Sequence, residues 1–353
     1  MSSPPSPGPT SLQITTRDDR TFLMSALQIC LKPFRPHLIK PRKELPAGSP
    51  ELSAHSKAKS KCHITPRQVC GIWIYDMVAK NATATREKPG DETRSGKEEG
   101  RRRRIYYFAG GGWQMPPSPE HWKTCAELCI RLPQTTVSIV SYPLAPNSPA
   151  KDALPMLEKL YPHLFSPTST TNPTSPLAGE GEEEEVVFAG DSAGGNIVLA
   201  LVLHILNTIP SSPAPNKLLV ISPAVDLREQ PQSTFSTSLP QADQQDPLLG
   251  IPFTNSTAAN WSRGTDPSSP QVSPLLADVD VLRQTGVRMY GISAGNDVLG
   301  PPARRFAEVC QEKGVGGMWL HWEGMMHCFP LAWVYGLSEG KEGLKWILEA
   351  LRE

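Results

Sequence analysis

One segment constrains this chain more than any other: Val186-Val187-Phe188-Ala189-Gly190-Asp191-Ser192-Ala193-Gly194-Gly195, followed by an apolar run from Ile197 to Leu206. β-Forming residues lead straight into a G-x-S-x-G turn, and a helical pattern leaves it with no intervening loop. A chain that passes from strand to helix over a single residue brings the two elements very close together. The positions two before and two after the serine must therefore be small, and Gly190 and Gly194 meet that demand. A bare G-x-S-x-G also arises by chance in a chain with Gly 27, as a glycine-rich turn without chemistry. The strand before it and the helix after it make it read as a nucleophile elbow, with Ser192 as the expected nucleophile.

The rest of the chain repeats that alternation. Apolar strands are expected at Ile105–Ala109, Thr136–Val140, Val186–Phe188, Leu218–Ile221, Val287–Ile292 and Met318–His321, with an earlier one at Val69–Val78. Helices are expected near Glu120–Arg131, Lys151–Leu164, Gly194–Thr208, Ala303–Glu312 and Lys341–Leu351, and a short apolar one over Thr21–Leu31. Strand and helix in alternation predict an α/β fold with a mainly parallel central sheet flanked by helices on both faces. The helix Asn196–Ile209 is apolar nearly all round and is expected to be buried behind the sheet.

Polar stretches divide the chain. Residues 1–60 read as a disordered start, Ser/Pro-rich to about residue 20, and an N-terminal cap or extension that is extended and irregular from Lys32 to Lys61. Residues 61–353 read as the catalytic domain, with a Pro-, Gln- and Asp-rich insert at 234–273 placed to form a cap or lid. The polar segment Asn81–Arg104 ends in four arginines, which read either as an import or phosphate patch or, preferably, as a solvated loop. Ser166–Glu185 ends in four glutamates and reads as a disordered surface loop.

A serine needs a base, and the base needs a group that orients it. In α/β-hydrolase chain order the serine is followed by an acid and then by a histidine, each on a loop after a strand. Of the eight histidines only His321 and His327 lie late enough; His321 sits inside an apolar run and reads as a core residue, which leaves His327 as the general base. Asp297 follows the strand Val287–Ile292 and is the expected acid, while Asp226, after the preceding strand, reads as a structural loop residue. Gly110-Gly111-Gly112 directly follow the strand Ile105–Ala109 and, with Ala193, are the expected oxyanion-hole residues, their N–H groups unobstructed by side chains.

With these residues in place the chain, from about Val69 onward, resembles the hormone-sensitive-lipase-like esterases of the α/β-hydrolase fold-3 family. The motifs that carry the resemblance are Gly190–Gly195, Ser141-Tyr142-Pro143-Leu144-Ala145-Pro146, Ser222–Leu227, Val272–Leu276 and Gly324-Met325-Met326-His327. The resemblance implies the α/β-hydrolase fold, a Ser192–His327–Asp297 triad and a cap built from the N-terminal region and the internal insert. Three positions depart from the family pattern: Ala109 stands where the oxyanion motif usually begins with histidine, Cys328 where glycine usually follows the catalytic histidine, and Gly300-Pro301 where the acid motif usually ends in Arg-Asp.

Composition narrows the remaining function classes. Lys+Arg 35 balance Asp+Glu 35, so charge offers no reason to expect nucleic acid or an anionic membrane as partner. Seven cysteines without a C-x-x-C pair read as reduced thiols, and the start lacks a basic region followed by an apolar one, so a cytoplasmic location is expected. The sequons at Asn81, Asn255 and Asn260 are accordingly expected to be unused, and the Phe22–Leu31 run is too short to span a bilayer. The expected activity is hydrolysis of a small, fairly apolar carboxylic ester through an acyl-enzyme, without metal or organic cofactor; no oligomeric state is legible. A thioesterase, an amidase or an acyltransferase would use the same triad. A non-catalytic ligand-binding protein on this fold, as in the gibberellin receptors that resemble these esterases, would have lost the histidine that His327 supplies.

Overall fold

The computed structural model describes residues 11–39, 44–80, 102–165, 184–229, 235 and 237–353. Nine strands form one sheet: β1 (Gln13–Arg17), β2 (Cys62–Val69), β3 (Ile72–Ala79), β4 (Arg103–Phe108), β5 (Thr135–Ser141), β6 (Glu185–Asp191), β7 (Lys217–Ile221), β8 (Arg288–Asn296) and β9 (Gly317–Met326). Their order is β1-β9-β8-β7-β6-β4-β5-β3-β2. All neighbours run parallel except β3, which pairs antiparallel with both β5 and β2.

The helices are α1 (Phe22–Leu31), α2 (Arg35–Leu38), α3 (Ser56–Lys61), α4 (Pro119–Arg131), α5 (Ala150–Leu160), α6 (Ser192–Thr208), α7 (Ser238–Gln245), α8 (Ile251–Ser262), α9 (Asp280–Gln284), α10 (Gly300–Glu312) and α11 (Ser338–Arg352). The central strands are apolar on both faces because both faces are covered. On one side Tyr106, Phe108, Val186 and Phe188 pack with buried residues of α5, α6, α9 and α10. On the other Ile105, Tyr107, Val187 and Ala189 pack with those of α3, α4 and α11. α6 is buried along almost its whole length, as its apolar circumference demands. No described helix is long and apolar enough to cross a membrane.

The fold departs from the sequence reading at its edges. Disorder to residue 20 is overturned: Gln13–Arg17 is β1, paired in parallel with Met318–Trp322 of β9. Its mostly polar residues suit an edge strand, and the five-residue run is short beside the Ser/Pro-rich stretch that precedes it. The expected single strand at Val69–Val78 is a hairpin, in which Cys70 and Gly71 both adopt positive φ between the paired residues Val69 and Ile72. Lys32–Lys61 is not irregular throughout. A 3-10 turn (Lys32–Phe34) and α2 each carry a proline at the helix start, where a missing N–H costs nothing, and α3 closes the segment.

The two charge runs also find a structural role. Arg103 in β4 pairs with Glu185 in the adjacent β6 at 2.6 Å, and Glu185 reaches Lys217 of β7 at 2.9 Å. Arg104 pairs with Glu184 at 3.1 Å. The ends of the basic and acidic runs are therefore strand-borne ion pairs, and Glu185 is buried in the sheet. Residues 1–10, 81–101 and 166–183, on which the rest of those readings fall, lie outside the described residues.

The elbow rests on a close approach of α6 to β4. A Cβ on Gly194 would lie 1.9 Å from the carbonyl oxygen of Phe108, and one on Gly190 would lie 2.6 Å from the carbonyl carbon of Gly194. Gly194→Ala is expected to cost about 3 kcal/mol by overpacking a backbone contact that has no side chain to yield. The check is the midpoint of denaturant unfolding; an unchanged midpoint would show that α6 retreats from β4 freely.

Candidate active site

Ser192 sits between β6 and α6 at φ 52°, a left-handed conformation rare for a residue with a side chain. The strained turn lifts its hydroxyl to the C-terminal edge of the sheet, where β8 and β9 also end. Asp297 leaves β8 and His327 leaves β9 at that same edge. His327 Nε2 lies 3.0 Å from Ser192 Oγ, and its Nδ1 lies 2.8 Å from Asp297 Oδ2. A carboxylate only accepts hydrogen bonds, so Nδ1–H donates to Asp297 and Nε2 is left to accept from the serine.

Asp297 is fully buried, and its second oxygen accepts the N–H of Leu299 at 2.9 Å. Burial alone would lower the pKa of His327, but the Asp297 carboxylate outweighs it and raises it well above the ordinary histidine value. The imidazolium formed by proton uptake is thereby stabilised. The sequence-predicted trio is thus brought together. His321 instead packs in the core with Nδ1 2.8 Å from Ser293 Oγ. Asp226 forms a bidentate pair with Arg228, at 2.8 and 2.7 Å.

The glycine loop divides in its roles. Gly110 is not free to serve an oxyanion, contrary to expectation: its N–H donates to Asp191 Oδ1 at 3.0 Å. Gly111, Gly112 and Trp113 follow with φ 133°, 58° and 57°, which turns the backbone over the elbow. Gly111 and Gly112 line the cavity beside Ser192, as does Ala193, whose N–H in the first turn of α6 has no intrahelical acceptor.

Sequence reasoning missed what holds this loop. Asp191 is buried at the end of β6, and its Oδ1 also accepts the hydroxyl of Tyr107 at 2.8 Å. Its Oδ2 lies 3.1 Å from His121 Nε2 on α4. When His121 is neutral, Ser118 N–H donates to its Nδ1 at 2.9 Å, which places the Nε2 proton on the side of Asp191. Burial alone would raise the Asp191 carboxyl, but its partners, His121 foremost, hold it below the usual carboxylate range. On the far side, Tyr142 OH donates to the carbonyl of Ala109 at 2.7 Å and Ala145 N–H to that of Trp113 at 2.8 Å. The loop that starts with Ala109 is therefore tied through its backbone, with no polar side chain needed at that position. The only trace in the sequence is Ser118-x-x-His121 at a helix start, legible as a cap and not as a support for Asp191.

Cys328 explains itself by conformation. It has φ 50°, the left-handed region that favours glycine, and its Sγ lies 3.4 Å from His327 Nε2. Burial pushes its thiol up to about 12, so it stays neutral beside the imidazole.

The site opens into a cavity of about 1640 Å³. Leu27 and Leu31 of α1, Phe235, Leu249 and Phe253 of the insert, and Tyr335 contribute to its walls. The N-terminal segment and the insert thus both face the site, over a predominantly apolar lining.

Residues 105–331, which include Ser192, Asp297 and His327, match the family model described as alpha/beta hydrolase fold. An esterase of Acinetobacter venetianus is 29% identical over 219 residues, covering 61% of this chain and 64% of that protein. The match therefore spans a little under two thirds of that relative. An esterase/lipase from an uncultured bacterium superposes with a TM-score of 0.67 at 21% identity, covering 94% of this chain and 98% of that one. An esterase from the bacterial hormone-sensitive lipase family superposes with a TM-score of 0.66 at 19% identity, covering 95% and 99%. At these identities the two solved structures show a shared fold.

His121→Ala would leave the buried Asp191 carboxylate short of a partner and is expected to cost about 3 kcal/mol. Burial works to lower the pKa of His121, yet Asp191 raises it overall. Its ionic contribution is then full below the unfolded histidine value of about 6.5 and is lost as pH rises through the folded value. Unfolding of wild type and variant between pH 5.5 and 9 should show the gap narrowing with pH; a gap that widens would reverse the assignment.

Proposed function

The chain belongs to the alpha/beta hydrolase fold family, and from that premise we propose that it is a serine carboxylic ester hydrolase acting on small, fairly apolar esters. The observation that carries this reading is the chain of contacts from Asp297 through His327 to Ser192, 2.8 and 3.0 Å long, at the mouth of the apolar cavity.

In this mechanism Ser192 Oγ attacks the ester carbonyl carbon while His327 Nε2 takes its proton. The negative charge that develops on the carbonyl oxygen faces the N–H groups of Ala193 and of Gly111 or Gly112. Asp297 keeps the imidazole in the required tautomer and stabilises its charged form. As the tetrahedral intermediate collapses, His327 returns the proton to the leaving alkoxide, the alcohol departs, and the acyl group stays on Ser192. Water, deprotonated by the same imidazole, then attacks the acyl-enzyme and releases the acid. Every atom that moves comes from the ester, from water or from these side chains. Thioesters, amides or an alcohol acceptor in place of water would run through the same steps.

A fluorophosphonate probe should label the wild type covalently and leave Ser192→Ala unlabelled. Hydrolysis of p-nitrophenyl esters should fall by roughly 10⁶-fold in that variant. Equal labelling of both proteins, or of neither, would sink the reading. A panel of ester, thioester and amide substrates then ranks the bonds cleaved.

A further inference from the structure

The insert between β7 and β8 delivers a second carboxylate to the back of the site. Asp246, just after α7, is fully buried. Its Oδ1 accepts the N–H groups of Leu248 at 2.7 Å and Leu249 at 2.8 Å, which turns the chain toward α8. Its Oδ2 reaches out of the insert and accepts the N–H of Val298 at 3.0 Å. Asp297 itself accepts the N–H of Leu299. Two buried carboxylates, one from the insert and one from the site, thus hold consecutive amides of a single loop. Leu248, Leu249, Val298 and Leu299 all line the cavity.

We propose that Asp246 is a positioning residue that locks the Asp297 loop to the cavity-forming insert, so that the acid stands within reach of His327 only while the insert is seated. The proposal rests on the hydrolytic reading of Ser192, Asp297 and His327. A turn-forming aspartate needs only Leu248 and Leu249; the bond to Val298 crosses to a different element and does nothing for the turn.

The charged groups around Asp246 set how it behaves. Asp297 faces it from the loop after β8, and His327 from the loop after β9. On the insert side, Arg35 of α2 donates to the carbonyls of Asp243 and Asp246 and pairs with the Asp243 carboxylate at 3.3 Å. Lys32 is bonded to the carbonyl of Gln244. Both cations are thus directed at backbone or at Asp243, and the Asp246 carboxylate accepts from three neutral amides. Burial first, and then the Asp297 charge, push the Asp246 carboxyl up to about 7, against the pull of its amide donors and of His327. It therefore changes charge in the neutral range.

Asp246→Asn keeps an oxygen for the turn and turns an NH₂ toward the Val298 amide, which unlocks the loop. With a short p-nitrophenyl ester, kcat is expected to fall on the order of tenfold with KM little changed, the cost of one mispaired buried hydrogen bond. Removal of a negative charge near His327 should also move the acidic limb of kcat/KM to lower pH. Stability gives a readout independent of turnover. A carboxyl held above its unfolded value contributes stability that is lost as pH rises from about 4 to about 7, so the stability difference between wild type and the Asn variant should move against the wild type across that range. A variant with unchanged kcat and acidic limb, and with the wild-type pH dependence of unfolding, would overturn the proposal. If the variant does not fold, the wild type decides: an amide of Val298 that exchanges its hydrogen as fast as an exposed loop N–H also overturns it. A wild type that fluorophosphonate fails to label would instead fail the hydrolytic reading, while the unfolding comparison still reads the link between Asp246 and Asp297.

Discussion

The site depends on one close approach, that of α6 to β4 across Gly194 and the carbonyl of Phe108. Because no side chain fits there, the helix starts immediately at the end of β6, and Ser192 is held at positive φ with its hydroxyl at the sheet edge. A nucleophile on an exposed loop would have to be ordered anew at each turnover. Here the order is built into packing that the whole central sheet supports.

A second layer of structure follows from that contact. The same turn that exposes Ser192 buries Asp191 beneath the glycine loop, where an unpaired carboxylate would be very costly. Tyr107 from β4, Gly110 from the loop and His121 from α4 converge on it, so the need to satisfy one charge fixes the glycine loop beside Ser192. Tyr142 and Ala145 brace the loop from outside through its carbonyls. This is why Ala109 stands where the related esterases usually carry histidine without leaving the loop untied.

Much of the fold was legible because it is locally encoded. The buried parallel strands read as apolar runs, the helices as amphipathic or wholly apolar stretches, and the hormone-sensitive-lipase-like motifs agree with the family that the chain belongs to. The candidate trio was legible too, because chain order and placement after strands constrain a base and an acid strongly. What escaped reading depends on partners far away in sequence. β1 is a short, mostly polar segment at the sheet edge whose partner, β9, lies some 300 residues later. Arg103 and Glu185 looked like ends of solvated charge runs because nothing local reveals that their strands are neighbours. Gly110 was indistinguishable from Gly111 and Gly112 until Asp191 claimed its N–H.

The sequence by itself determined the strand–turn–helix at Ser192, the alternation that makes a parallel sheet, and the candidate trio Ser192, Asp297 and His327. These rest on steric and hydrophobic rules that act between near neighbours. Only the tertiary structure decided which glycine amide stays available, that His121 answers Asp191, and that Asp246 reaches from the insert to the amide beside Asp297. Each of those follows from burying a charge or an amide among elements distant in the chain. The cost of leaving such a group unpaired selects its partner by position in space, and a linear pattern does not record that position.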